Sequence, residues 1–311
     1  MADQCDDGTM SVTTSPPPHA DTARGLMLML TASVMFGIMG AAAKQANTVL
    51  SFWETTFWRS VVTLVLVSVL IWLGRRRETH AATVGRFWLW MRGLTGTLGL
   101  LCYFFAISRI PLAQALMLNS MTPLFTTLLA ALVLKERLQP AALIGLGVGL
   151  VGVYLIVDPQ GGQLNIGTAL GLLSSLFSAM AYVIVRRLSA THDPWVVVWH
   201  LSAMGLILAA PGTLAAFHPL AGSLFAAVGL MGLAATVAQG TMTMAYRHLP
   251  AGTGSTAGLF TVCVGTLIGW AWFGEIPSTA ALVGGALILL GGIGANLGAF
   301  SRLRTPSIGL R

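Results

Sequence analysis

The sequence has very few charged residues. Only 9% of its 311 residues are Asp, Glu, Lys or Arg, and 55% are hydrophobic, whereas soluble domains carry about a quarter charged residues. The charges are clustered, which leaves long apolar runs such as residues 26–43 and 112–134. Runs of about 20 apolar residues are long enough to cross a bilayer. The sequence therefore predicts an integral membrane protein surrounded by lipid.

Cysteine is also scarce, and no catalytic or metal-binding cluster is apparent. Cys5, Cys102 and Cys263 show no metal-ligand spacing, and no nucleophile and base stand at a workable spacing. We expect no metal, no cofactor and no enzymatic activity. The net charge of +7 does not indicate nucleic acid, because the basic residues lie between hydrophobic runs without interleaved aromatic residues.

Hydropathy predicts ten membrane spans. They lie near residues 25–46, 52–73, 87–107, 112–134, 140–157, 166–188, 195–217, 222–246, 251–274 and 279–300. Apolar runs this long, without strand-like alternation, favour helices over a barrel. The predicted fold class is an all-α integral membrane protein. We expect residues 1–22 to be a disordered cytoplasmic tail and residues 301–311 to be a C-terminal cytoplasmic tail.

The basic residues predict the orientation of these spans. With the N-terminus inside, 13 of the 17 basic residues are cytoplasmic, while Lys44 and Arg109 lie at outer ends and Arg59 and Arg92 lie within spans. Positively charged loops stay in the cytoplasm. Both termini are therefore predicted to be cytoplasmic, in agreement with an even number of spans.

The two halves of the sequence resemble each other at an offset of 139 residues. The matched pairs include Pro111 with Pro250 and Glu136 with Glu275. Because Pro and Glu are scarce here, their shared offset indicates a duplication. Five spans per half insert the second copy in the opposite orientation, and the cations that flank Glu136 are absent beside Glu275. We predict two inverted repeats, residues 23–157 and 158–300.

Several short motifs recur in a defined order along the chain. They are Phe57–Arg59, Arg92–Gly93, Pro111–Ala115, Pro123, Leu134–Arg137, Ala245–Arg247 and Phe273–Glu275. Their order and spacing over residues 25–300 resemble the ten-helix EamA group of the drug/metabolite transporter superfamily. The resemblance implies a bundle in the bacterial cytoplasmic membrane with a central cavity, built from the first, third, fourth, sixth, eighth and ninth spans. It also implies export of amino acids, metabolites or drugs, but it does not identify the cargo.

Polar residues at bilayer depth are candidates for the substrate pathway, because they are costly unless they are hydrogen-bonded. Asn119 and Gln239 lie about one turn from the midplane, and each could bind substrate or form an interhelical hydrogen bond. Thr122, Ser178 and Thr261 lie near the midplane itself.

Aromatic and basic residues complete the candidate site. Tyr103 and Tyr182 could contact substrate or anchor at the interfaces, and Phe36 and Trp90 could stack on a ligand or simply pack. Arg92 could bind an anionic group or snorkel to water.

Other polar or small residues are assigned structural roles. Arg59 lies in the second span, outside the cavity-lining set. Glu136 and Glu275 fall on opposite faces of the membrane, which excludes a joint catalytic role and favours pairing with Arg or capping of helix ends. Glycines in the fifth and tenth spans permit close packing of these spans with each other or with a second subunit in a homodimer.

The interiors of the predicted spans contain no Asp or Glu. This absence argues against a proton-coupling carboxylate and against a cationic substrate. We predict a carrier for a small neutral, zwitterionic or weakly anionic metabolite that works by alternating access. The alternatives are a passive channel or scaffold protein and, less favoured, a membrane enzyme.

Overall fold

The fold of the described residues is entirely helical. A computed structural model of the protein describes residues 19–74, 82–134, 140–157 and 165–302. Within these ranges the helices are α1 (His19–Ala46), α2 (Phe52–Leu73), α3 (Ala82–Arg109), α4 (Leu112–Asn119), α5 (Thr122–Leu134), α6 (Pro140–Val157), α7 (Ile166–Ser189), α8 (Pro194–Ala215), α9 (Ser223–His248), α10 (Ala251–Ala257), α11 (Phe260–Phe273) and α12 (Thr279–Arg302).

The helices are apolar enough for a multi-pass membrane protein. Seven segments of the described chain have the length and hydropathy of a membrane span, and shorter apolar helices occupy Leu143–Ile156 and Thr279–Ala295. Large apolar side chains face outward, including Trp72, Leu214, Leu267 and Leu290. Hydroxyl residues such as Ser33, Ser60 and Ser202 are buried inside. This apolar exterior suits a lipid environment.

Some predicted features fall outside the described ranges. They are most of the N-terminal tail (residues 1–18), the arginines of residues 75–77, the segment 135–139 with Glu136, the loop 158–164 and the last nine residues. Helix α1 begins at His19, three residues before the predicted end of the tail at residue 22. A hydropathy boundary marks where apolar residues begin, whereas a helix can start earlier through polar residues.

The prediction of continuous helices was wrong for the fourth and ninth spans. The fourth predicted span is divided into α4 and α5, and the ninth into α10 and α11. In a continuous helix, the carbonyl group of Asn119 would accept the N–H of residue 123. Residue 123 is proline, which has no N–H, and the Thr122 hydroxyl donates to that carbonyl oxygen instead, at 2.5 Å.

The second break has a different local cause. Helix α10 has the sequence AGTGSTA, which is rich in weak helix formers, and Gly258 follows it as the C-cap residue. The Ser33 hydroxyl of α1 donates to the Gly258 carbonyl oxygen at 3.4 Å. Asn119 and Gly258 are separated by the same 139 residues that relate the matched prolines.

The helices pack in four principal pairs. Helix α1 packs on α9, α3 on α7, α2 on α8, and α6 on α12. Helices α4 and α5 contact α11 and α10 respectively, so each half of one broken helix lies against the opposite half of the other. The two breaks consequently meet near the centre of the bundle.

Glycines allow α6 and α12 to pack at very close range. A Cβ atom on Gly145 would lie 2.5 Å from the carbonyl oxygen of Gly291, and one on Gly284 would lie 2.5 Å from that of Gly152. The two helices therefore run antiparallel with their backbones in contact. Of the two partners predicted for these glycine-rich spans, the structure shows the intramolecular one.

We expect Gly152→Ala to destabilise the protein, because the new Cβ would overlap the Gly284 carbonyl oxygen. Overpacking of this kind costs about 1–3 kcal/mol. Gly147→Ala on the same helix is the matched control: its Cβ would meet no atom within 4 Å, and alanine favours a helix by about 1 kcal/mol over glycine. Thermal unfolding of the purified variants measures both effects. Equal shifts would contradict the proposed packing constraint.

Candidate substrate-binding site

A cavity lies where the two broken helices meet. Its volume is about 110 Å³, which is room for several water molecules. Residues of α1, α3, α4, α5, α7, α9, α10 and α11 line it. These helices correspond to the first, third, fourth, sixth, eighth and ninth predicted spans, the same six that the family resemblance implies.

Nine of the ten predicted site residues line this one cavity. They are Phe36, Arg92, Tyr103, Asn119, Thr122, Ser178, Tyr182, Gln239 and Thr261. Trp90 is the exception, since its ring packs edge-on against the ring of His200 with centroids 5.2 Å apart. Trp90 and Arg92 stand two positions apart in the sequence, which places them on different faces of α3.

Arg92 and Gln239 are hydrogen-bonded across the cavity wall. The Arg92 Nη2 atom donates to Gln239 Oε1 at 3.0 Å, which joins α3 to α9. Arg92 is only 2% exposed, so its guanidinium does not reach water at the membrane surface, and the snorkelling interpretation was wrong. Its Nε and Nη1 atoms have no hydrogen-bond partner within the described part of the chain.

Asn119 forms the interhelical hydrogen bond that was one of its two predicted roles, and it also faces the cavity. Its Nδ2 atom donates to Ser174 Oγ at 2.9 Å, an interhelical bond from α4 to α7, and the residue also lines the cavity. Thr122 begins α5 and donates to the Asn119 carbonyl oxygen. The helix break therefore holds the Asn119 amide at the cavity surface.

The aromatic residues occupy different parts of the wall. Tyr103 is buried, with its hydroxyl oxygen 2.7 Å from where a Cβ on Gly40 would stand and without a hydrogen-bond partner among the described residues. The rings of Tyr182 and Tyr246 lie 5.6 Å apart. The interfacial-anchor interpretation of Tyr103 and Tyr182 was wrong, because both line the interior cavity.

The sequence predictions missed several small and hydroxyl-bearing residues of the wall. Ser33, Gly96, Ser120 and Ser255 all line the cavity. Ser120 follows directly after Asn119, and Ser255 precedes Gly258 by three residues. The proline at residue 123 marks the region of the first break, and adding the repeat offset of 139 residues leads to the region of the second. Together they could have identified both regions from the sequence.

Carboxylates are absent from the cavity lining in the described ranges. Glu54 accepts hydrogen bonds from the backbone N–H groups of Ser51 and His218, at 2.9 and 2.6 Å, and Asp193 caps α8 by accepting from the Trp195 N–H. The described residues also contain no group of three or more His, Cys, Asp or Glu side chains suited to a metal ion.

Glu275 joins three elements at one end of the cavity. Its Oε1 atom forms an ion pair with Lys44, at the end of α1, and its Oε2 atom accepts the Leu112 N–H, at the start of α4, at 2.8 Å. Lys44 also donates to the Ile110 carbonyl oxygen at 3.4 Å. The predicted capping role of Glu275 is found, with Lys44 rather than an arginine as its cation.

Arg59 does not line the cavity. It is fully buried in α2, and its three side-chain nitrogen atoms have no hydrogen-bond partner among the described residues.

Comparison with known proteins places this geometry in a family. The model of the EamA-like transporter family matches residues 23–158 and again residues 165–297. A solved structure of 22% sequence identity superposes with a TM-score of 0.62, over 93% of this chain and all of the other. This similarity shows a shared fold.

Curated relatives cover nearly the same length. The pseudopaline exporter CntI of Pseudomonas aeruginosa strain UCBPP-PA14 is 32% identical over 271 residues, 86% of this chain and 93% of the relative. The riboflavin transporter of Vibrio cholerae is 25% identical over 275 residues, 86% of this chain and 91% of the relative. With both halves matched by the family model and the helices surrounding a polar cavity, the protein belongs to the EamA-like transporter family.

Proposed function

We propose that this protein is a secondary transporter that exports a small neutral, zwitterionic or weakly anionic metabolite, such as an amino acid or a derivative, by alternating access. The observation that carries the proposal is the polar cavity at the junction of two broken helices within an apolar bundle. Transporters place substrate sites near the midplane at discontinuous helices, where freed backbone and side-chain groups can bind solute.

The proposal includes ten spans in two inverted repeats of five. It is supported by the two matches of the family model and by the contacts between helices. When each helix is replaced by its counterpart in the other repeat, the same principal contacting pairs are obtained. The pair α1 with α9 corresponds to α3 with α7, and α4 with α11 corresponds to α10 with α5. Helices α2 with α8 and α6 with α12 are each a pair of equivalent helices. Such a pattern is expected of a pseudo-twofold axis through the cavity.

The proposed orientation places both termini in the cytoplasm, with the first repeat at residues 23–157 and the second at 158–300. It rests on the distribution of basic residues. The end of the cavity at which Lys44 and Glu275 pair would then face outward. The bacterial cytoplasmic membrane is the proposed location, in keeping with the bacterial relatives.

Substrate entry requires the surrounding helices to separate. The cavity of about 110 Å³ is smaller than the roughly 300 Å³ or more of typical ligand pockets. At the Lys44 end, Glu275 connects the second half of the chain to α1 and to the start of α4. Breaking these contacts is the step that would open this end.

The chemistry of the wall supports uncoupled export or exchange. A proton relay inside a membrane needs a buried titratable group, and within the described part of the chain no Asp, Glu or His lines the cavity. The relatives named above carry different solutes according to their names, so they do not define the cargo.

Proteoliposomes test the transport function. Metabolites are first compared between cells and medium, with and without the protein, and the most strongly exported solute is then used for counterflow. We expect saturable, stereoselective counterflow, because a carrier binds solute on each side in turn. A flux that is linear with concentration would indicate a channel, and concentrative uptake driven by a pH gradient alone would contradict uncoupled transport.

We expect Asn119→Ala to impair transport more than Ser174→Ala, although Ser174→Ala removes one hydrogen bond more, from Ser174 Oγ to the Gly171 carbonyl oxygen at 2.6 Å. Both remove the 2.9 Å hydrogen bond, at a cost of about 0.6–1.7 kcal/mol within a membrane. Only Asn119 lines the cavity. Counterflow should therefore fall by on the order of tenfold in Asn119→Ala and be retained in Ser174→Ala, with thermal unfolding measured in parallel. Equal counterflow in the two variants would assign Asn119 a purely structural role.

We expect loss of the Lys44–Glu275 pair to open its end of the cavity. Met39 lines the cavity and is 3% exposed, so a Met39→Cys probe, with the natural cysteines replaced, reports opening through maleimide labelling in nanodiscs. Lys44→Gln or Glu275→Gln should raise the labelling rate several-fold, since about 1 kcal/mol changes a population about fivefold.

Arg109→Gln is the matched control for this experiment. Arg109 is a cation at the same end, and its guanidinium lies over the Phe105 ring, 5.5 Å from the centroid, rather than on Glu275. Its loss should leave the labelling rate unchanged. Labelling that is equal in all variants would show that the ion pair does not hold this end closed.

A further inference from the structure

Arg92 is the one cation among the residues that line the cavity in the described part of the chain. Its guanidinium is held by a single hydrogen bond, from Nη2 to Gln239 Oε1. Nε and Nη1 are buried without a partner among the described residues. An arginine side chain has five N–H donors in a planar fork, so most of its hydrogen-bonding capacity is unused.

A buried, unneutralised guanidinium is costly in a low-dielectric interior. The acids whose side chains the structure describes are engaged elsewhere: Glu54 with Ser51 and His218, Asp193 at the start of α8 and Glu275 with Lys44. The protein therefore supplies no carboxylate to Arg92 within the described ranges. A ligand that brought its own negative charge would complete the site.

The local packing positions Arg92 for such a ligand. A Cβ on Gly96, one turn further along α3, would overlap Nη1, so this glycine gives the guanidinium room to lie along the helix. Gln239, from α9, holds the guanidinium at a second atom by accepting from Nη2. Each Nη atom carries two N–H groups, so Nη2 keeps one N–H after bonding Gln239. That N–H and the N–H of Nε or Nη1 on the same edge can bind the two oxygens of a carboxylate.

The rest of the wall lacks a second charge. Asn119, Thr122, Ser255 and Thr261 provide amide and hydroxyl groups, and Phe36 provides an aromatic ring. These groups suit the uncharged part of a small organic acid. None of them is an anion, so they offer no partner for a positive charge on the solute.

We infer that the transported solute carries a carboxylate, and that Arg92 is the residue that binds it, with Gln239 as the positioning residue. This inference rests on the proposed transport function and narrows its substrate class to organic acids. The inference concerns binding, which can be measured without transport.

Ligand-dependent thermal unfolding of the purified protein tests the inference. The probes are sodium acetate, lactate and benzoate, each compared with its neutral amide at equal ionic strength. We expect at least one carboxylate to stabilise the wild type more than its amide does. Arg92→Gln should weaken that carboxylate's apparent affinity on the order of 10- to 100-fold, as expected for a charge-assisted hydrogen bond. Arg92→Lys should retain part of the affinity, because it keeps the charge but not the planar fork.

Gln239→Glu separates binding from a purely structural role. It places a carboxylate on Arg92 at almost unchanged volume, so it should abolish the preference for carboxylates while preserving or raising the unfolding temperature. Arg59→Gln is the matched control, because it removes a buried guanidinium that does not line the cavity, and it should keep the preference. If Arg92→Gln does not fold, Arg92→Lys and Gln239→Glu still decide the outcome.

Two results would overturn the inference. One is a wild type for which no carboxylate is preferred over its amide, and the other is a preference that survives in Arg92→Gln or Gln239→Glu. Failure of the transport function gives a different result. In that case carboxylates would bind with the predicted dependence on Arg92, while no solute would show counterflow in proteoliposomes.

Discussion

The cost of an unpaired polar group inside a membrane is the constraint that organises this structure. The exterior of the bundle is apolar, so nearly every polar side chain within it must find a partner in the protein. Asn119 meets the hydroxyl of Ser174, and the hydroxyl of Ser33 meets the backbone at Gly258. Arg92 is only partly paired, and it is the one charged side chain of the cavity wall in the described ranges.

The helix breaks follow from the same constraint. A break exposes backbone groups, and it is tolerated at membrane depth only where protein or a polar cavity can satisfy them. The break before Pro123 and the break at Gly258 both face the cavity, and side-chain hydroxyls bond the freed carbonyl groups. The close contact of α6 with α12 through glycines lies outside this region. The bundle thus combines a tightly packed pair of helices with a cavity whose wall is built from broken ones.

Much of the candidate site could be predicted from the sequence, because polar residues in apolar runs are few and conspicuous. Nine predicted residues line the cavity, including Asn119 and Gln239. Trp90 was misplaced because hydropathy gives depth along a helix but not the direction in which a side chain points. Ser33 and Gly96 were missed because small residues are abundant here, and only packing distinguishes those at the cavity from those between helices.

The sequence by itself determined that the protein is helical and lies in a membrane, because so few charged residues and such long apolar runs cannot form a water-soluble surface. It also related Pro111 to Pro250 and Glu136 to Glu275, since such scarce residues rarely share an offset by chance. Only the tertiary structure decided that the fourth and ninth spans are broken, and that Glu275 pairs with Lys44 across the two halves. These features depend on hydrogen bonds and charge contacts between residues far apart in the chain, which local hydropathy and motif spacing do not encode.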